Sequence, residues 1–374
     1  MIIGSPSCGI EQDSSSGGAR YDVDLLRGLI DLGDDPHILL AAHQRPHPEL
    51  LGRVERLRWG KGLRWPVMVF VMPQAIGRCW RMHGFDVLRV HSPLYLGPAA
   101  IIARHRYGIT APMVANVHHY EPARGTAALE RWVLRQADLV IVDSAFVKRQ
   151  LVGNGIDAAR IRVVYCGAAG VSARTDEALN GYELTVVRDR YRVRDKRVVL
   201  MIGPLIPRKQ PFEMLNIFRR VVEDVPDVVL VWVGDGPLRA KAIAYADRLG
   251  FVGSVRFPGR VSEMDKNVLL CLADVFAFTS ELEGCPLAVL EAMAAGIPVV
   301  AWDAASLPEL VVEGETGYLC TSRSRFIGCI EWLLEHPFDR QRMGEAAATR
   351  AAAHFRPDQT VAGVRAVYRQ ATGR

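Results

Sequence analysis

VFAFTSELEGCPLAVLEAMAAGIPVV, residues 275–300, decides how this chain is read. Residues 275–279 are a short apolar, aromatic-rich run of the kind a buried strand carries. Residues 280–285 form a loop with two carboxylates and a glycine. Pro286 suits the first turn of a helix, where its missing N–H is not needed. Residues 287–295 strongly favour helix. Gly296 stands where a helix C-terminus wants glycine, and Pro298 follows it. Residues 299–302 start another strand, so the stretch predicts a βαβ crossover between parallel strands.

Its chemistry lies in Glu283, in the loop, and Glu291, on the helix among Leu290, Ala292 and Met293. A carboxylate in so apolar a run needs a partner. The two do not suit a glycosidase pair. Retaining glycosidases hold their carboxyls ~5–5.5 Å apart, whereas eight helical residues span ~12 Å and turn ~80° away. Different jobs on one extended ligand suit them better. The helix N-terminus between them offers free N–H groups and a positive dipole end, which favour a phosphate. A sugar near Glu283, a phosphate at the helix start and ribose hydroxyls on Glu291 describe a nucleotide sugar. The plainer alternative is an amphipathic helix with two surface glutamates.

The run Glu283, Gly284, Cys285, Pro286, Leu287, Ala288, Val289, Leu290, Glu291, Ala292, Met293, Ala294 resembles the E-x7-E motif of retaining glycosyltransferases of family 4. These have the GT-B fold. That resemblance implies an α/β protein of two Rossmann-like domains facing each other across a cleft, with a C-terminal helix crossing back to the first. The boundaries expected are an N-terminal acceptor domain over 1–170, a linker over 171–196, a nucleotide-sugar-binding domain over 197–355 and the returning helix over 356–374.

The composition fits such a protein. At 374 residues the chain is long enough for two cores, and 49% apolar with 23% charged residues is ordinary globular usage. No apolar run approaches the ~20 residues of a membrane-spanning helix, and the first residues lack the basic start and apolar core of a signal peptide. Seven scattered cysteines without metal-like spacing suggest a reduced, cytoplasmic protein. The net charge of +5 suits an anionic donor without implying nucleic acid.

In the first half, Gly17 and Gly18 precede a helical pattern through Leu25, Leu26, Leu29 and Ile30. A glycine pair there lets backbone approach a ligand, and it is similar to the family's Gly-Gly loop, which borders donor phosphate and acceptor. Asp22 and Asp24 formally match a metal-binding D-x-D. They are read as acidic residues opening the helix, and no metal is assigned. Residues 53–83, from Arg53 to His83, hold seven basic residues against one acid and three tryptophans, Trp59, Trp65 and Trp80. That mixture suits a membrane interface or an anionic acceptor; the alternative is a domain surface whose helix buries residues 67–72 and Ile76. Strands are expected over 85–91, reaching Ser92 and Pro93, and over 111–118, ending in His118 and His119. A histidine at the C-terminal end of a parallel strand lies on the binding edge of an open sheet. By the resemblance His118 sits near the reacting sugar, with His119 in the place of the usual Asp. A histidine merely bonded within its loop is the alternative.

In the second half, a strand over 197–202 is followed by Gly203, Pro204, Leu205, Ile206, Pro207, Arg208 and Lys209. A glycine turn with a basic pair facing a helix suits a diphosphate. The family pattern is similar, and Lys209 matches its Lys. Pro204 stands where the Arg usually is, so Arg208 would have to substitute. Gly234, Asp235, Gly236 and Pro237 look like the family's G-x-G-P turn, and Arg260 follows a stretch resembling the one that borders the base.

The resemblance implies a hexosyltransferase that moves a hexose or N-acetylhexosamine from a UDP or GDP sugar to an acceptor hydroxyl, with retention of configuration. Lys209, Arg208 and the helix start after Cys285 would neutralise the departing diphosphate. Glu283 and the amides of Gly284, Cys285 and Leu287 would hold sugar hydroxyls, with Pro286 and Ala288 also in the donor site; Glu291 would hold the ribose; His118 would contact the sugar. The nucleotide sugar is a co-substrate, with no cofactor and no metal, and the acceptor is a lipid, a metabolite or a glycan. Peripheral contact with the inner face of a membrane is expected through residues 53–83. A catalytically silent binding module and a sugar-nucleotide epimerase are the rival functions.

Overall fold

Short β-branched runs and amphipathic helices alternate along nearly the whole chain, the pattern of parallel sheets covered by helices. The computed structural model describes residues 1–7, 10, 17–41, 45–57, 65–118, 126–168 and 181–374. Two compact units result: Met1–Cys166 with Pro357–Arg374, and Gly167–Arg356.

Unit 1 runs β1 (Ile2–Pro6), α1 (Gly17–Asp31), β2 (Asp35–Ala41), β3 (Val54–Leu57), α2 (Trp65–His83) and β4 (Val87–Val90). It continues with α3 (Pro93–Tyr107), β5 (Met113–Val117), α4 (Ala127–Gln136), β6 (Leu139–Val142), α5 (Ala145–Gly153) and β7 (Ile161–Val163). The strands form one parallel sheet in the order β3-β2-β1-β4-β5-β6-β7. On one face Leu88, Val90, Met113, Ala115 and Val140 pack with Met72, Ile76, Leu96, Ala99 and Val133. A smaller cluster of Val23, Leu26, Ile38, Leu40 and Leu50 joins α1 to β2.

Unit 2 runs α6 (Gly181–Arg190), β8 (Arg197–Ile202), α7 (Pro211–Asp224), β9 (Val228–Val233), α8 (Arg239–Arg248), β10 (Val255–Gly259) and α9 (Glu263–Leu272). After these come β11 (Val275–Phe278), α10 (Leu287–Ala294), β12 (Val299–Trp302), α11 (Leu307–Leu310), β13 (Gly317–Cys320), α12 (Arg323–Glu335) and α13 (Pro337–His354). Its parallel sheet has the order β10-β9-β8-β11-β12-β13. The predicted crossover is present: β11 pairs parallel with β12, Phe276 opposite Val299. Gly296 takes a positive φ of 71° just past α10, as a helix stop requires.

The last helix, α14 (Pro357–Thr372), belongs to unit 1. Val361, Val364 and Tyr368 are buried there, and Arg365 bonds to Asp34. Val367 is buried beside them, while Ala366 is exposed.

Three local expectations are corrected. Pro286 is not inside the first turn of α10 but caps it from outside, with extended ψ of 106°. Asp22 does not open α1, which begins at Gly17; it lies a full turn in and is buried. Of the helix surface at 67–72, Met72 is buried but Phe70 is 73% exposed. Trp59 and His119 lie outside the described residues.

Candidate active site

In an open α/β sheet the ligand crevice lies past the C-terminal strand ends where the strand order reverses. In unit 2 that point is between β8 and β11. The loop after β8 ends in Arg208 and Lys209; the loop after β11 carries Glu283. The topology therefore joins residues 74 positions apart. Lys209 Nζ is 2.6 Å from Glu283 Oε1 and Arg208 Nη1 is 3.0 Å from Glu283 Oε2. Both Lys209 and Glu283 are 6% exposed. Arg208 also donates to the Leu282 carbonyl at 3.0 Å.

The two loops are laced together from behind. The Thr279 hydroxyl donates to the Lys209 carbonyl at 2.9 Å, and Ser280 Oγ is within reach of the Glu283 carboxylate and the Arg208 carbonyl. Lys209 Nζ also sits 4.5 Å from the centre of the Phe278 ring. Burial pulls the Lys209 pKa below its usual range, with the Glu283 carboxylate pulling the other way. Lys209 depends on Glu283, because without that carboxylate its buried charge would be uncompensated.

Next to Glu283, α10 starts without a side-chain cap. The amides of Gly284, Cys285, Leu287 and Ala288 meet no acceptor among the described residues. These are donors of the kind that receive an anion at a helix start. Further along α10, Glu291 has the partner its apolar surroundings demand. Lys266, on α9, lies 2.8 Å away and also 3.0 Å from Glu263. Lys266 was missed in the sequence, since nothing local marks it among the charges of α9. Arg260 is exposed after β10, with β9 and β8 between its strand and β11.

Unit 1 has its own reversal between β1 and β4. Here the strand ends bring together His91, His118 and Asp143. His118 Nδ1 donates to Asp143 Oδ2 at 2.6 Å, and its Nε2 lies 3.2 Å from His91 Nδ1. Tyr21 meets the His118 ring edge-on, centroids 4.5 Å apart. His91 bonds to the Gly18 backbone, which ties the first turn of α1 to the same edge; a Cβ on Gly18 would meet open space.

Beneath them Arg89 and Asp22 form a fully buried ion pair. Burial would raise the Asp22 pKa, but Arg89 and His91 outweigh it and hold the carboxyl below its usual value. Burial pushes the His91 imidazole down to about 3. Tyr21 Oη, both side-chain polar atoms of Asn116, Asp22 Oδ2 and Asp143 Oδ1 are buried with no hydrogen-bond partner among the described residues. Orphaned polar groups gathered at one sheet edge suit a hydroxyl-rich ligand. His91 and Asp143 were missed as His118's partners, though each ends an apolar strand, as VLRVH and LVIVD show.

Two family models match, the group 1 glycosyl transferases over residues 187–350 and glycosyltransferase family 4 over residues 15–168. The chain belongs to the family 4, group 1 glycosyltransferases. Among its relatives in this family is the GDP-mannose-dependent alpha-(1-6)-phosphatidylinositol monomannoside mannosyltransferase of Mycobacterium tuberculosis, 28% identical over 71% of either chain. The D-inositol 3-phosphate glycosyltransferase of Mycobacterium bovis is 30% identical over 76% of this chain and 62% of that protein. The fold is GT-B. It is similar to that of Anabaena Alr3699/HepE in complex with UDP and glucose, with a TM-score of 0.79 at 20% identity over 98% of both chains. Sucrose-phosphate synthase from Thermosynechococcus elongatus gives 0.82 at 19% identity over 99% of this chain and 98% of that one.

Proposed function

We propose that this glycosyltransferase takes its sugar from a nucleoside diphosphate donor, UDP or GDP, and transfers it with retention of configuration. The observation carrying this is the convergence of Lys209, Arg208 and Glu283 at the β8–β11 reversal, beside the uncapped start of α10. In the resting chain both cations pair with the single carboxylate of Glu283. An incoming diphosphate would share them and take hydrogen bonds from the free α10 amides. Negative charge grows on the leaving diphosphate as the glycosidic bond breaks, and preorganised cations and amides stabilise it most at that moment. Arg208 takes the role that Pro204 leaves empty. Glu283, released in part from its cations, accepts from sugar hydroxyls.

Glu291 accepts from the ribose hydroxyls, with Lys266 holding its carboxylate in place. His118, oriented by Asp143, contacts the sugar. The acceptor hydroxyl attacks from the leaving-group side and the departing phosphate takes its proton. With two side-chain cations on the diphosphate, no divalent ion is required, and donor affinity is expected to be the same with and without Mg2+. A GDP-mannose-dependent relative and a UDP-bound neighbour support a nucleotide donor while leaving the base open between the two.

Isothermal titration with UDP, GDP, ADP and dTDP sugars tests this. One nucleotide is expected to bind, with affinity lost in Lys209→Ala and Glu291→Ala and transfer products visible by mass spectrometry. Absence of binding up to millimolar donor overturns it in favour of a silent glycan-binding module.

The acceptor is a lipid, metabolite or glycan. A lipid is favoured by α2, whose exposed residues include Phe70, Arg78, Arg81 and Met82. No described helix is long and apolar enough to cross a membrane, so contact would be peripheral. Co-sedimentation with anionic liposomes is expected at low salt and is expected to fall in Phe70→Ser; no pelleting at low salt removes the lipid surface from the proposal.

A further inference from the structure

Three side chains from three elements meet at the edge of unit 1. His37 lies near the start of β2, Glu55 is on β3, the edge strand, and His83 is the last residue of α2. Glu55 Oε1 is 3.3 Å from His83 Nε2 and 3.9 Å from His37 Nδ1. One ligand atom from each residue lies within 4.8 Å of the others. The two imidazoles stack, centroids 3.9 Å apart at 27°. Neither ring meets the carboxylate with hydrogen-bond geometry, so Glu55 Oε1 is buried without a donor among the described residues. A buried carboxylate oxygen facing two imidazole nitrogens is the donor set of a transition-metal ion.

The surroundings are also those of a metal site. His37 Nε2 faces Asp35 Oδ2 at 3.3 Å, and Asp35 is held in turn by Arg53. A carboxylate beside the far nitrogen stands where the outer partners of metal-bound histidines stand. Cys79, one turn before His83 on α2, is buried beside Glu55. His83 ends a helix, where the dipole favours a cation. Ligands of tetrahedral zinc, each ~2.0–2.1 Å from the metal, are about 3.3 Å apart, so small side-chain rotations close the cluster.

We propose that His37, Glu55 and His83 bind one Zn2+-class ion, which ties β2, β3 and the end of α2 together. The ion is structural. The cluster sits toward the start of β2, whereas His91 and His118 follow the C-terminal ends of their strands, the edge that would bind ligand. Neither Lys209 nor Glu283 takes part, so this ion is separate from the metal-free transfer proposed above.

The test is Zn2+ titration of chelator-washed, full-length protein, with Co2+ replacement read by visible absorption. One ion per chain is expected, with a d–d spectrum of low coordination number and a rise in thermal midpoint. His83→Ala, half-exposed and so tolerated, and Glu55→Gln, which keeps shape, are each expected to abolish the Co2+ spectrum and the thermal rise with unchanged circular dichroism. Asp35→Asn is expected to weaken binding about tenfold. His118→Ala serves as control, because His118, Asp143 and Cys166 also lie close enough to share an ion. No stoichiometric binding at micromolar Zn2+, binding that survives both His83→Ala and Glu55→Gln, or binding abolished by His118→Ala would each overturn the proposal.

Discussion

Glu283 illustrates how much one residue can depend on distant chain. Its carboxylate is buried, and its two oxygens are shared by Lys209 and Arg208. Removing one partner of such a pair costs about 3–5 kcal/mol, because the other charge stays buried alone. Glu283→Ala, which strips the counter-charge from both cations, is therefore expected to lower the stability of unit 2 by several kcal/mol in urea unfolding, besides losing donor affinity. Glu291 differs. Lys266 retains Glu263 when Glu291 is gone, so Glu291→Ala is expected to leave stability nearly unchanged. It is expected to weaken donor binding by about 10–100-fold in calorimetry, the value of a hydrogen bond to a charged group. A mutant that bound donor normally would remove Glu291 from the ribose.

His91 gives a pH dependence with a definite sign. Burial holds its pKa near 3 in the folded chain, against ~6.5 when unfolded. Between these values the unfolded state carries the extra proton, so stability falls as pH drops from about 6.5 toward 3. Asp22, whose folded pKa is depressed, adds to the loss lower down, once pH passes below its unfolded value and falls through the folded one. The thermal midpoint is expected to decline from pH 7 to pH 4, and His91→Asn is expected to flatten that decline.

At the scale of elements, α10 is held from both ends. Its start faces the Lys209 and Arg208 loop, and its end turns through Gly296 against α13. Gly344 on α13 approaches so closely that an added Cβ would lie 2.1 Å from the Gly296 carbonyl oxygen. Neither backbone can yield without moving the helix that carries Glu291. Gly344→Ala is expected to destabilise unit 2 by about 1–3 kcal/mol, the usual range for overpacking, and to weaken donor binding from outside the site. Urea unfolding and donor titration check the two parts together. The same logic explains why Lys266 matters: α9 is fixed by its Ser262 cap and by Asp265, which bonds Arg190 and Tyr191 beside α6.

Across the whole molecule, the chain returns to where it began. α14 comes last in sequence yet buries Val361, Val364 and Tyr368 in unit 1. Each such side chain is worth about 1.5–3 kcal/mol, a large share of the ~5–15 kcal/mol that holds a domain folded. Deleting residues 357–374 is expected to unfold unit 1 while unit 2 still melts cooperatively by calorimetry. In the intact chain, nucleotide donor is expected to raise the unit 2 transition, by ~2.7 kcal/mol at one hundred times Kd.

Sequence alone was sufficient for the local and periodic features. The βαβ stretch, the strand over 197–202 and the stop at Gly296 follow from propensity and punctuation, which act within a few residues. The E-x7-E run likewise announced Glu283 and Glu291, because their spacing is set by one loop and one helix. What no local pattern carried was the partner of each charge. Lys209 reaches Glu283 across 74 residues, Lys266 reaches Glu291 across 25, and Asp143 reaches His118 across 25. His37, Glu55 and His83 are spread over three elements in the same way. Parallel strands place residues side by side only after long crossovers, so the order of strands in each sheet, and not the order of residues in the chain, decided which charges would meet.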